Sequence, residues 1–332
     1  MFRRVAAALA LFFVAGSVVF MGAGQRDTVD SPLAIQASPT TLDNDRPERV
    51  AIGDLRFLGG WTLSSSDPDF GGISAMARVD DGFVAVGDAG GVFRFAFDDA
   101  GQIARAEISA LPAGPLPPDN QPLTKSDRDA EAMAFDPETG RFWVAFERAN
   151  GFWRYDQDFA VSDGDNAPDP MEDWPNNGGA EALIRFDDGR FLVFSEAGNG
   201  PGSSREVLLF SNDPSEADTE APVRLGYRPP AGHRITDAAL LPDGRLLVLN
   251  RDFSLVRGVS VIISLVDISE LEPDTILVGE EVARLVPPLT VDNMEAMAIE
   301  EVDGRTIVWI ASDDNFNSLQ RTLLMQFEWI GR

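Results

Sequence analysis

One hairpin, written five times along the chain, limits the fold more than any other feature. Its clearest copy spans residues 129–147. Ala132 and Ala134, then Phe142, Val144 and Phe146, alternate with other residues, the period-two pattern of strands. Between them stands Asp136-Pro137-Glu138-Thr139-Gly140. Here Pro presets φ, and Gly accepts the positive φ that closes a turn. Glu131 opens the first strand and Glu147 ends the second, so both carboxylates come to the end opposite the turn.

Related units start at Ser74, Glu181, Thr236 and Glu295. They run into apolar second strands at 83–88, 191–196, 246–251 and 307–313. Successive units are 50 to 59 residues apart, the period of propeller blades. The fold expected is all-β, a β-propeller with five blade repeats. A six-bladed ring is the alternative, if one hairpin is degenerate. Residues 50–63 read as a strand ahead of the first hairpin. Its expected partner is 322–329 in the last blade, a pairing that closes the ring and removes an open edge.

The rest of the chain divides in order. Residues 1–24 carry Arg3-Arg4, then an uncharged apolar run that ends in Gly22-Ala23-Gly24. This is the pattern of a signal peptide, and the run also has the length of a membrane anchor. Residues 25–48 are rich in Ser, Thr, Pro and Asp and read as a flexible tether. Residues 49–332 are the expected propeller domain. Within it, 158–175 and 212–222 read as Asp- and Pro-rich loops without strand pattern. The protein is expected to be exported, periplasmic or extracellular, and either free or held to the membrane by its N-terminal segment. A monomer is expected.

Composition excludes several function classes. The chain has 54 Asp and Glu against 27 Lys and Arg, a net charge of −27. That charge repels nucleic acid, and it leaves the N-terminal segment as the only membrane contact. There is no cysteine, which rules out disulfides, thiolate chemistry and Cys-based zinc. The single histidine, His233, rules out multi-His metal sites, and no G-x-S-x-G elbow accompanies it.

The repeat itself points to the site. The first strand of each blade lines a propeller's channel. Glu131, Glu181 and Glu295 should therefore meet at one mouth, with Ser74 and Thr236-Asp237 in the other two units. The second strands end at the same mouth in Asp88, Glu147, Glu196, Arg251 and Asp313-Asp314. Carboxylates so close cannot all stay ionised without a cation or an arginine. An all-oxygen set selects Ca²⁺, or Mg²⁺ with several waters.

The expected metal ligands are Glu131, Glu181, Glu295, Asp313 and Asp314. Glu131, Glu181, Glu295 and Asp313 form the expected catalytic set, holding a cation that neutralises an ester and activates water. Arg251, Arg321 and Asn315 are expected to bind a small anionic ester. A competing reading makes the three glutamates blade fasteners, paired with arginine and backbone N–H groups. The mouth would then bind a ligand or protein partner without chemistry.

Several of these motifs resemble the "esterase-like activity of phytase" family. They are Gly71-Gly72-Ile73-Ser74-Ala75-Met76, Asp129-Ala130-Glu131-Ala132-Met133-Ala134, Gly179-Ala180-Glu181-Ala182-Leu183 and the 241–251 hairpin. The resemblance is strongest at Asp292-Asn293-Met294-Glu295-Ala296-Met297 taken with 312–322, and it spans roughly 50–329. It implies an exported propeller and hydrolysis of phosphoesters. Ser74 and Thr236 stand where the other units carry Glu.

Overall fold

The computed structural model describes residues 26–80, 82–116 and 124–331. The segment 1–24 lies outside them. Each repeat forms the inner half of an antiparallel blade. The innermost strands are Ile73–Val79, Ala130–Asp136, Ala180–Arg185, Arg234–Leu240 and Met294–Val302. Each packs against the next and the last against the first, so the ring holds five blades.

Both faces of a blade are covered by its neighbours. The second strands are therefore apolar along their whole length rather than alternating, as in Phe191-Leu192-Val193-Phe194, all buried. Five apolar clusters result, one at each blade junction. Leu247, Leu249 and Ile263 meet Met297 and Ile310 between the fourth and fifth blades. Phe83 meets Trp309 edge-on between the first and fifth, with ring centroids 4.9 Å apart. Each core is thus shared between two blades.

The seam closes as the sequence implies. Leu55–Ser65 pairs antiparallel with Thr322–Trp329, with Leu63 opposite Thr322. Residues 26–48 depart from the expected tether and form a strap across that seam. Ser31–Pro32 adds to the outer edge of the first blade. Ile35–Pro39 adds to the fifth, outside Leu55–Ser65. Leu33, Ile35, Ala37 and Leu42 are buried. Arg26 holds Asp67 and Asp69 at 2.8 and 2.9 Å, and buried Asp43 accepts Arg46 at 2.9 Å. The alternation at Leu33, Ile35 and Ala37 is a strand signal, too short to stand out from the polar residues around it. Ser162–Asn166, within an expected loop, is the outer strand of the second blade. An edge strand of Ser, Asp, Gly and Asn has little to bury and carries no apolar pattern.

A chain starting at residue 49 should stay soluble but melt about 10 °C or more below one starting at 26. Four buried apolar side chains are worth about 1.5–3 kcal/mol each, and about 2–4 °C follows each kcal/mol lost. A chain starting at 66 also lacks Leu55–Ser65 and should aggregate. Equal melting temperatures for the 26 and 49 starts would show that the strap contributes nothing.

Candidate metal centre at the channel mouth

A β-bulge sets up the site in every blade. The pairing between first and second strands skips one residue each time: Ser74, Glu131, Glu181, Thr236 and Glu295. A bulge leaves its extra residue unpaired and re-aims the side chain. In two blades that side chain is a hydroxyl, which fastens the next blade. Ser74 Oγ donates to the Ala130 carbonyl, and Thr236 Oγ1 donates to the Met294 carbonyl at 3.0 Å. In the other three blades the bulge delivers a carboxylate, and Glu131, Glu181 and Glu295 repel one another across the channel.

A second ring surrounds the first. On each second strand, the residue beyond the bulge partner is Asp88, Glu147, Glu196, Arg251 or Asp313. Two Gly-Gly pairs let backbone reach this ring. Gly72 N–H donates to Asp314 Oδ1 at 3.0 Å, and Gly178 N–H donates to Glu147 Oε1. Gly72 has φ +63°, and a Cβ there would collide with Asp88 Oδ1.

Cations answer only part of this charge. Arg251 holds Glu295 at 3.0 Å, Arg234 holds Glu196 at 2.8 Å and Arg148 holds Asp129 at 3.1 Å. Lys125 pairs with Asp88 and lies 5.4 Å from the centre of the Phe316 ring. Among the described residues, Glu131, Glu147, Glu181 and Asp313 have no ion-pair partner. Oxygens of Asp129, Glu131 and Glu147 all lie within 4.8 Å of one another.

Protonation follows from burial and crowding. Burial, then Glu181 and Asp129, push Glu131 well above the usual carboxylate range. Burial, then Glu196 and Glu295, do the same to Glu181. Burial and Asp129 raise Glu147 to about 7, against N–H bonds from Gly178 and Gly179. Burial raises Glu295 to about 7 despite Arg251, and Asp88 to about 6 despite Lys125. Asp313 is raised by burial and Asp88. Asp237, one residue past the Thr236 bulge, is raised by burial although it accepts N–H bonds from Met297 and Ala238 at 2.6 and 2.7 Å.

The donor set suits a hard cation: carboxylates, with no His or Cys among them. Two buried oxygens, Asp88 Oδ1 and Asn150 Oδ1, have no hydrogen-bond partner. Asn150 adjoins Glu147, whose carbonyl accepts its N–H at 3.2 Å.

The expected site residues fall into three groups. Glu131, Glu181, Glu295 and Asp313 converge at the mouth. Asp314 is beside them, but its oxygens are taken by Gly72 N–H, by Phe316 N–H at 3.1 Å and by the Thr322 hydroxyl at 2.9 Å. Arg251 is committed to Glu295. Arg321 is turned to Asp292 at 3.1 Å and to the Val291 carbonyl. Asn315 is exposed on the loop after Asp313, where its N–H donates to Asp313 Oδ1 at 2.6 Å.

Asp129 and Lys125 were not among the expected site residues. Asp129 is one position outside the strand whose bulge carries Glu131. Lys125 is the only lysine in the chain, a signal the sequence does contain. It opens the 3-10 turn Lys125–Asp127, which is fixed by Thr124 donating to Asp127 Oδ2 through N–H and hydroxyl at 2.7 and 2.6 Å.

The sequence profile of the phytase-like family, described as esterase-like activity of phytase, matches residues 68–316. The chain belongs to that family. No curated protein matches it. Its backbone is distantly similar to a protein of unknown function from Dyadobacter fermentans, at 12% identity over 92% of this chain and 99% of that one, TM-score 0.41. It is similar to Kuenenia stuttgartiensis hydrazine synthase at 12% identity, over 76% and 79%, TM-score 0.42. A β-propeller domain from Myceliophteria thermophila matches at 9% identity, over 89% and 99%, TM-score 0.39.

The raised carboxyls give a signed pH dependence. Native Glu147, Glu295 and Asp88 keep protons that the unfolded chain has already released. Their contribution to stability is present below the unfolded pKa, about 4–4.5, and is lost as pH rises towards about 7. The metal-stripped protein should thus melt several degrees lower at pH 7.5 than at pH 5. Saturating Ca²⁺ should remove most of that fall, because a cation favours the ionised forms. A flat metal-free profile would contradict the crowding.

Proposed function

We propose that the protein is an exported, metal-dependent hydrolase of phosphate or other small anionic esters, acting at the channel mouth. The observation that carries the proposal is the Asp129, Glu131 and Glu147 group, three carboxylates within 4.8 Å whose one ion-pair partner among the described residues is Arg148. Family membership supports the ester chemistry. These three residues would hold Ca²⁺, with Glu181, Glu295 and Asp313 around them. A bound divalent cation supplies neutralisation of the ester's charge and a lowered pKa for a coordinated water.

The chain's own groups do the rest. Lys125 and Arg251 sit among the acids and present N–H donors to an anionic group entering the mouth. Glu147 holds a proton near neutral pH when no cation is bound and would give it up as the cation binds. Glu295, held by Arg251, keeps that guanidinium aimed at the channel. The pattern in residues 1–24 supports export, as a cleaved signal or as an anchor.

A second reading, a scaffold that binds a protein partner without chemistry, draws on the rim. Leu116, Leu255, Val256 and Leu319, on loops at the mouth ends of the strands, are each more than three-quarters exposed. Exposed large apolar side chains are what a partner would cover.

The double variant Glu131→Gln with Glu147→Gln separates the readings. In the wild type, Ca²⁺ at a hundredfold excess over Kd should stabilise by about 2.7 kcal/mol and support hydrolysis of a chromogenic phosphate or carboxylic ester. The double variant should lose both effects while its metal-free melting temperature holds or rises. A wild type that gains no stability from Ca²⁺ and turns over no ester would leave the scaffold reading in place.

A further inference from the structure

Next to the mouth lies a cavity of about 610 Å³ that the metal centre does not use. Its walls are the loop after the second strand of the third blade, at 199–205, and the lead-in to the fourth blade, at 228–234. Three arginines line it: Arg205, Arg228 and Arg234. No acidic residue does, in a chain where acids outnumber bases 54 to 27. Arg234 holds Glu196 of the outer ring at 2.8 Å, so one guanidinium belongs to both cavity and mouth. Arg205 donates only to the Ala197 carbonyl, at 3.2 Å. Arg228 is exposed and has no partner among the described residues.

That absence of acids is unusual for this surface. Arg56, Arg141, Arg190 and Arg224 are similarly exposed, and each is paired with a carboxylate. The remaining walls are compact and polar. Ser203, Ser204 and Asn199 stand on one side, Pro229-Pro230 and His233 on the other. His233 is positioned by the Ala231 carbonyl at 3.2 Å from Nδ1 and by Ser260 Oγ at 3.0 Å from Nε2. The carbonyl can only accept, so Nδ1 carries a proton.

We propose that this cavity binds the oxyanion, phosphate or carboxylate, of a small organic ligand. Guanidinium forks match such groups in shape and charge. The volume is that of small-molecule sites. Taken with the hydrolase reading, the ligand is the substrate, with its anionic portion among Arg205, Arg228 and Arg234 and its ester at the mouth. The cavity's affinity for an oxyanion does not depend on that reading.

The test is calorimetric titration of the protein, stripped of metal on a chelating resin, with inorganic phosphate and separately with citrate at low ionic strength. Without metal the acids of the mouth outnumber its cations, and loss of binding in Arg228→Gln assigns the binding to the cavity. Saturable binding is expected. Arg228→Gln, at an exposed position with no partner to lose, should fold normally and weaken binding about tenfold, the loss of one charge-assisted contact. Arg205→Gln with Arg228→Gln should bring binding below detection. Arg305→Gln, on a turn at the opposite face, should bind like the wild type. Binding of phosphate alone or citrate alone identifies the oxyanion class. The proposal is overturned if neither probe binds, or if Arg228→Gln binds as tightly as the wild type.

Discussion

Like-charge repulsion around a ring is the constraint on which the rest of this structure turns. Five hairpins closing a circle bring one sequence position to the axis five times. Where that position is Glu, the charges meet. Around Glu131, oxygens of Asp129, Glu131 and Glu147 lie within 4.8 Å of one another, and unit charges about that far apart repel by about 3 kcal/mol at an effective dielectric near 20. Three mutual repulsions of that size approach the whole stability of an ordinary domain, about 5–15 kcal/mol. The ring can therefore hold these residues only by keeping protons, recruiting arginines or taking up a cation. It uses the first two in the protein alone: Glu131 and Glu181 are displaced upward in pKa, and Arg251 and Arg234 hold Glu295 and Glu196.

The scaffold tolerates this because its cohesion lies elsewhere. Five apolar clusters fill the blade junctions, and the N-terminal strand with its strap locks the seam. Ser74 and Thr236 occupy the bulge position in two blades and hydrogen-bond the neighbouring backbone instead of adding charge. The bulge position is thus split between fastening and function. An axis with five glutamates would face far more repulsion, and one with five hydroxyls would have nothing to offer a cation.

Much of this was legible in the sequence because it is periodic. Blade number, inner strands, the closing strand and the convergence of Glu131, Glu181 and Glu295 all follow from the spacing of one hairpin. What was not legible is what lacks a period. The strap at 26–48 has a strand signal only three alternating residues long, and Ser162–Asn166 has no apolar residue at all. The bulge at each first strand cannot be read from composition, since it exists only in the register between two strands. Asp129 and Lys125 reach the mouth from just outside the repeat, and the cavity at Arg205 and Arg228 joins loops of two different blades.

We propose that the mouth exchanges its protons for a cation. Calcium calorimetry at pH 6, run in two buffers of different ionisation enthalpy, measures that exchange directly. Glu147 and Glu295 lie near 7 and are largely protonated at pH 6, and Glu131 and Glu181 are displaced in the same direction. The account predicts release of at least one proton for each Ca²⁺ bound, falling as pH rises above about 7. Calcium binding with no proton release at pH 6, or no calcium binding at all, would contradict it.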